Sequence, residues 1–340
     1  MAPMALHLPP AAARMQASTS TRVCLVSQRS RPAGVCVDSR ALVVSHFLTG
    51  AEISAAQLHG LIDRALELKA APHCSRALDD CVVALVFERP STRTRLSFEA
   101  GVVELGGHAL VLRPGELQLA RGESVRDTAL VLSRHVQAIG LRTGSDADLA
   151  ELAEYAGVPV INMLSPSHHP CQALADLMTL KECFGTLAGL RVAYVGDGNN
   201  VARSLALLGH RAGVEVTVAS PPGYALTQGE PDSLALSHVR LEPDPHAAVN
   251  GARAVYTDVW VSMGDEATAA QRREDLAGYR LDDRLLDAAA PDAIALHCLP
   301  AHPGEEISSE VLYGPRQRIW EQAENRRHVQ KALLELLLVR

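Results

Sequence analysis

The sequence predicts an α/β chain of two doubly wound parallel-sheet domains, and three observations carry that expectation. Short runs of strand-forming residues alternate with stretches of helical periodicity, the pattern of a mostly parallel sheet covered by helices on both faces. The alternation runs twice, with a break at about Gly185. At 340 residues and 47% apolar content, the chain has material for two cores of ordinary size.

The first round opens near Ser45. Leu58, Leu61, Ile62, Ala65 and Leu66 recur at helical spacing and predict a helix from about Ala51 to Lys69. Strands are predicted at Cys81–Phe87, Ala109–Leu112, Gln137–Leu141 and Val158–Asn162. Helices follow at about Thr92–Leu105, Ser124–His135, Asp146–Tyr155 and Pro170–Cys183, the first of them read from the spacing of Leu96, Val103 and Leu105. The second round has strands at Leu190–Val195, Val214–Ala219, Ala254–Thr257 and Ala293–Leu296, with a helix at Asn200–Arg211. A final helix, about Gln317–Leu338, ends Leu-rich and needs a groove for its apolar face. Two runs of one architecture are present without a sequence repeat.

Composition excludes some functions. A net charge of -7 argues against general nucleic-acid binding, and the basic groups must act locally. No apolar run approaches the roughly 18 residues of a membrane span. The seven cysteines lack zinc-like spacing and form an odd set, with Cys81 expected in a core strand. They predict no metal site and suit a reducing compartment. Residues 1–44 are set apart: Arg14, Arg22, Arg29, Arg31 and Arg40 occur there, with no acidic residue before Asp38. That composition fits a disordered leader, either a mitochondrial or plastid transit peptide or the translated upstream region of a GC-rich gene.

Chemistry concentrates at Phe87–Glu99. Ser91, Thr92, Arg93, Thr94 and Arg95 fall where a strand passes into a helix, so open backbone N–H groups and the helix dipole favour an anion there. Guanidinium and hydroxyl donors at that density suit phosphate oxygens; a capped helix with a solvated basic turn is the plainer alternative. In the second round, Gly196–Asn200 follows a strand, but Val201 stands where a dinucleotide fingerprint needs glycine. An amide in that turn could instead hold a small zwitterion.

A strand followed by Ser-Thr-Arg-Thr-Arg and then Ser-Phe-Glu resembles the carbamoyl-phosphate loop of the aspartate and ornithine carbamoyltransferases. His169-Pro170-Cys171-Gln172 resembles that family's carbamoyl-holding motif. Asp258-Val259-Trp260-Val261-Ser262-Met263-Gly264 and His297-Cys298-Leu299-Pro300 resemble its ornithine branch. The four motifs occur in the family's order, and the likeness runs from about residue 46 to 338. It implies a carbamoyl-phosphate domain at 45–184, an ornithine domain at 185–316, and a C-terminal helix, 317–340, returning to the first domain.

The resemblance implies transfer of a carbamoyl group from carbamoyl phosphate to ornithine, without cofactor or metal. Ser91, Thr92, Arg93 and Thr94 would take the phosphate, helped by Arg326. Thr94, Arg142 and His169 would stabilise the oxyanion, and Gln172 with the carbonyls of Cys298 and Leu299 would accept from the carbamoyl NH2. Asn200, Asp258, Ser262 and Met263 would hold ornithine. An ammonium has no lone pair, so Asp258 and Cys298, a carboxylate beside a thiol whose pKa its surroundings could lower, suit orienting and deprotonating the amine. Gln118 and Arg121 match a segment that reaches a neighbouring subunit's phosphate site, which implies a homotrimer or a multiple of it.

The chain departs from the family at Arg89, where Lys is usual, at Pro303, where Arg is common, and at Ser165–His168, whose change could alter the loop carrying His169. Another acceptor amine, such as putrescine or N-acetylornithine, and a catalytically silent binding subunit stand as alternatives. The compartment would be cytoplasm for a bacterial protein, and mitochondrial matrix or plastid stroma if 1–44 is a transit peptide.

Overall fold

The computed structural model describes residues 46–113, 115–118, 122–226, 236–262 and 266–339. The expected leader and the partners Arg121 and Met263 lie outside them. In chain order the first sheet and its helices are α1 (Ala55–Ala70), β1 (Val82–Phe87), α2 (Thr92–Glu104), β2 (His108–Leu112), α3 (Val125–Leu132), β3 (Ala138–Arg142), α4 (Asp146–Tyr155), β4 (Val160–Leu164) and α5 (Pro170–Phe184). The second set is β5 (Arg191–Val195), α6 (Asn200–Ala212), β6 (Glu215–Ala219), β7 (Arg240–Leu241), α7 (Pro245–Val249), β8 (Ala254–Thr257), α8 (Ala269–Leu276), α9 (Asp283–Asp287), β9 (Ile294–His297), α10 (Ser309–Leu312) and α11 (Ile319–Leu338).

Both sheets are parallel, in the orders β2-β1-β3-β4 and β7-β6-β5-β8-β9. The expected α/β class and doubly wound parallel sheets are present. Each order reverses direction once, between β1 and β3 in one sheet and between β5 and β8 in the other. At such a switch point the loops leaving two neighbouring strands diverge to opposite faces and open a crevice beyond the carboxyl ends.

Strand side chains alternate between two buried layers. Val83, Leu85 and Phe87 of β1 join the large core shared with α1 and α5, while Ala84 and Val86 join the opposite core with Ile139 and Leu149. In β5, Val192 and Tyr194 enter the shared core, and Ala193 and Val195 meet Leu285 and Ile307. Burial on both faces is why these strands read as unbroken apolar runs. α11 packs on α5, α1 and α2, all helices of the first sheet.

Three expectations need correction. Leu96 and Val103 are 61% and 65% exposed; α2 buries Thr94, Ser97, Phe98, Gly101 and Val102 instead. The apolar spacing marked a helix but not its inward face. α3 stops at Leu132: Ser133 still donates to the Ala129 carbonyl, but Arg134 and His135 bond only three residues back, to Val131 and Leu132, and the chain tightens into turns. Cys81 precedes β1, is only partly buried, and has a free thiol.

Candidate active site

A cleft of about 860 Å³ opens where the carboxyl ends of both sheets meet. Its first wall comes from the switch point of the first sheet. β1 and β3 pair Phe87 with Arg142 at their ends, so the Ser91–Thr94 turn and the Arg142 side chain leave the sheet side by side. Ser91 occupies the N-cap of α2 yet makes no side-chain capping bond, whereas Ser54, Ser124, Ser145 and Asn199 each cap their helices. The Ser91 hydroxyl accepts from Arg142 Nη1 at 3.3 Å. Its helix therefore begins with backbone donors that this side chain does not cap.

Arg89, Arg93, Arg142 and Arg326 all line the cleft. Arg326 arrives from α11 and donates from Nη2 to Thr94 Oγ1 at 2.7 Å. Burial, with Arg326, Arg93 and Arg89 nearby, pulls the Arg142 guanidinium down to about 10. His169, at the N-cap of α5, is held well below its ordinary range by burial and by Arg326, Arg142 and Arg93. It is a neutral imidazole, with one N–H to give and one nitrogen to accept. The altered segment before it closes as a turn, Ser165 N–H donating to the His168 carbonyl at 2.9 Å, and the His169 N–H is fixed by Ser204 Oγ at 2.7 Å. The Ser165–His168 departure thus leaves His169 lining the cleft.

The second wall comes from the β5–β8 switch point and the end of β9. Asp258, directly after β8, is buried and accepts from Cys298 Sγ at 2.8 Å and from Asn199 Nδ2 at 2.8 Å. Asn199 is held in turn: its Oδ1 accepts from Tyr194 OH and from the N–H groups of Val201 and Ala202. The expectation of a lowered Cys298 pKa is overturned. Burial, then the Asp258 charge and its hydrogen bond, push the thiol well above its ordinary range, so Cys298 is a neutral donor to Asp258.

The His297–Pro300 turn is braced from behind. Leu299 has a φ of 61°, unfavourable for a side chain of its size, and its N–H donates to His297 Nδ1 at 2.8 Å. With Nδ1 accepting, the imidazole proton sits on Nε2, 3.1 Å from the fully buried Glu306. Glu306 Oε1 also accepts the His302 N–H at 2.6 Å. Asp258, His297 and Cys298 offer potential metal ligands within 4.8 Å of one another, but both His297 nitrogens are engaged, so a cation would have to displace these bonds.

Of the expected site residues, Ser91, Thr92, Arg93, Thr94, Arg142, His169, Asn200, Asp258, Ser262, Cys298, Leu299 and Arg326 line this cleft. Asn200 donates to the Ser165 carbonyl at 2.8 Å; its neighbour Asn199, which caps α6, is the one that touches Asp258. Gln172 is buried outside the lining, with Nε2 donating to Asp176 at 2.9 Å, and Gln118 stands exposed away from the cleft. Sequence reasoning passed over Asn199, Glu306 and Asp176. The Asn199-Asn200 pair was a usable signal, whereas Glu306 sits in a Glu-Glu pair that reads as solvated surface.

Residues 45–182 match the carbamoyl-P binding domain of aspartate/ornithine carbamoyltransferase, and 188–337 match its Asp/Orn binding domain. The chain is 50% identical to an ornithine carbamoyltransferase of Methanoculleus marisnigri over 297 residues, 86% of this chain and 96% of that one. Among solved structures, the ornithine carbamoyltransferase from Pyrococcus furiosus superposes with a TM-score of 0.82 at 44% identity, covering 87% of this chain and 98% of that one. The Thermus thermophilus enzyme gives a TM-score of 0.77 at 44% identity, with coverage of 84% and 96%. Two sheet-end walls, one cationic and one carrying Asp258 and Cys298, thus occur in a chain that belongs to the aspartate/ornithine carbamoyltransferase family.

Proposed function

We propose that this protein is an ornithine carbamoyltransferase, moving the carbamoyl group of carbamoyl phosphate to the δ-amine of L-ornithine to give L-citrulline and phosphate. The observation that carries this is four guanidinium groups lining the same cleft as the Asp258–Cys298 pair, in a chain 50% identical to proteins of that name. In this reading residues 45–184 bind carbamoyl phosphate, 185–316 bind ornithine, and 317–340 return Arg326 to the first site.

The phosphate dianion sits on the uncapped start of α2, with Ser91, Thr92, Thr94, Arg93 and Arg326 around it. It offsets the burial and the mutual repulsion that pull Arg142 down. Asp258 attracts the δ-ammonium, and the Cys298 thiol, as a neutral donor, fixes the orientation of that carboxylate. Asp258 takes one proton from the δ-ammonium, the freed lone pair forms the C–N bond at the carbonyl carbon, and the second proton of that nitrogen leaves with the phosphate. Negative charge grows on the carbonyl oxygen, where Thr94, Arg142 and neutral His169 are the donors, and it returns as the C–O bond to phosphate breaks. Each such donor is worth about 2.7–4 kcal/mol of transition-state stabilisation. Asn200, Ser262 and Met263 are assigned to the amino-acid end of ornithine.

We assign a homotrimer, with Gln118 and Arg121 serving a neighbour's phosphate site. Leu96, Val103 and Leu110 of α2 and β2 are large apolar side chains facing outward, which supports an assembly on that side. Leu96→Glu with Val103→Glu is expected to convert the trimer to monomer in sedimentation and to lower activity with it. We place the reaction in arginine biosynthesis, in the cytoplasm of a bacterium, or in the matrix or stroma if 1–44 is cleaved as a transit peptide.

The test is citrulline formation by purified protein, with putrescine, N-acetylornithine and aspartate offered in parallel. Saturable turnover with ornithine alone, lost in Arg93→Ala, is the expected result. Turnover with another amine reassigns the acceptor, and silence with all four points to a binding subunit.

A further inference from the structure

Asp176, in the second turn of α5, is a fully buried carboxylate outside the cleft lining. Three donors from three elements converge on its Oδ1: Gln172 Nε2 of α5 at 2.9 Å, Gln322 Nε2 of α11 at 2.6 Å, and Tyr256 OH of β8 at 3.3 Å. Gln322 also accepts the His297 N–H at 3.0 Å, beside Cys298. A buried carboxyl is costly, and this one fixes side chains that stand behind the cleft lining from both sheets.

The consequence falls on Gln172. Gln322 has its Oε1 fixed by the His297 N–H, so it must offer Nε2 to Asp176 Oδ1; that oxygen is an acceptor whichever way the carboxyl is protonated, and the NH2 end of the Gln172 amide must face it too. Its carbonyl oxygen is then turned the other way, buried and without a partner. An unpartnered buried acceptor, three residues beyond His169 of the cleft, is waiting for a donor. Rotating the amide end for end would put an NH2 there instead, facing the NH2 of a carbamoyl group as donor against donor.

We infer that Asp176 is a positioning residue that holds the Gln172 amide acceptor-outward, and so makes the site select an acyl phosphate bearing NH2 over one bearing a methyl group. The inference rests on the proposed carbamoyl transfer and deepens it. Asp176 touches neither substrate. It acts through one amide, and that amide reads the one group by which carbamoyl phosphate differs from acetyl phosphate.

The experiment compares wild type, Asp176→Leu, Asp176→Asn, Gln172→Ala and the Asp176→Leu/Gln172→Ala double variant. Steady-state kinetics with carbamoyl phosphate and ornithine are measured alongside inhibition by acetyl phosphate. Asp176→Ala replaces the Leu variant if thermal unfolding shows that Leu does not fold. Asp176→Leu is expected to lower kcat/KM for carbamoyl phosphate about tenfold or more, with the inhibition constant of acetyl phosphate unchanged. Asp176→Asn keeps an acceptor oxygen and should stay within about threefold of wild type, well above Gln172→Ala. The double variant should be no worse than Gln172→Ala alone.

Multiplying losses in the double variant, equal weakening of acetyl phosphate, or a loss in Asp176→Asn as deep as in Gln172→Ala would each overturn the inference. A wild type that makes no citrulline refutes carbamoyl transfer itself, so the two failures are distinguishable.

Discussion

The two walls of the cleft are built on opposite electrostatic terms. Around Asp258 nearly every donor has an acceptor: Cys298 and Asn199 serve the carboxylate, His297 bridges Leu299 and Glu306, and Asn199 is itself pinned by three donors. Around Ser91 like charges gather instead: burial, and then the nearness of Arg326, Arg93 and Arg89, pulls the Arg142 guanidinium down to about 10. One wall is finished before substrate arrives. In the proposed reading the other is completed by a bound dianion, whose charge offsets that burial and repulsion.

Arg142→Met should break this contrast most sharply. Turnover should fall about 10²- to 10³-fold through loss of an oxyanion donor. The ligand-free protein should nevertheless unfold at the same temperature or higher, since repulsion and a desolvated charge are gone, while the stabilisation that phosphate gives wild type should shrink. A clear drop in the ligand-free Tm would mean that the cationic wall is satisfied after all.

Cys298→Ala tests the other wall. We expect kcat to fall on the order of 10²-fold, with the phosphate-induced shift in Tm unchanged, because the thiol orients Asp258 and does not touch the anion. A smaller, structural effect is expected for Glu306→Ala, which leaves His297 Nε2 and the His302 N–H unpaired. Urea unfolding should show a loss of about 1–3 kcal/mol. An unchanged midpoint would mean that the brace behind the turn is idle.

A further expectation concerns pH. Burial pushes the Asp176 carboxyl from its ordinary 3.8 up to about 7, against the pull of its hydrogen bonds from Gln172, Gln322 and Tyr256. Between those values the folded protein keeps a proton that the unfolded chain has lost. The stability of wild type relative to Asp176→Asn should therefore fall as pH rises through that window and stay level above it. A difference that grows with pH would show that the hydrogen bonds outweigh burial.

How much of this was readable from the residues differs by element. β1, β3, β5 and β8 were visible because both faces are buried and their runs are continuous. β7 was not, since Arg240 and Leu241 are two exposed edge residues without pattern. The cleft-lining turn at Ser91–Thr94 was legible because its donors are consecutive. The Asp176 hub was hidden because Gln322 and Asp176 stand 146 residues apart and meet only through packing. On α11 the buried residues Gln322, Asn325, Arg326 and Lys331 look in sequence like a solvated face, and only the partners Asp176, Thr179, Thr94 and Glu104 show otherwise.

The path of α11 also bears on how the protein comes into being. The Ser91 turn and Arg142 leave the ribosome early, yet Arg326 follows both sheets in the order of synthesis. A nascent chain can form much of the first core and still lack one of the cations of the proposed phosphate site, together with the glutamine that links Asp176 to His297. Competence to bind substrate is therefore a late event in translation. Translation that stops before α11 would leave a polypeptide with recognisable sheets and no working enzyme.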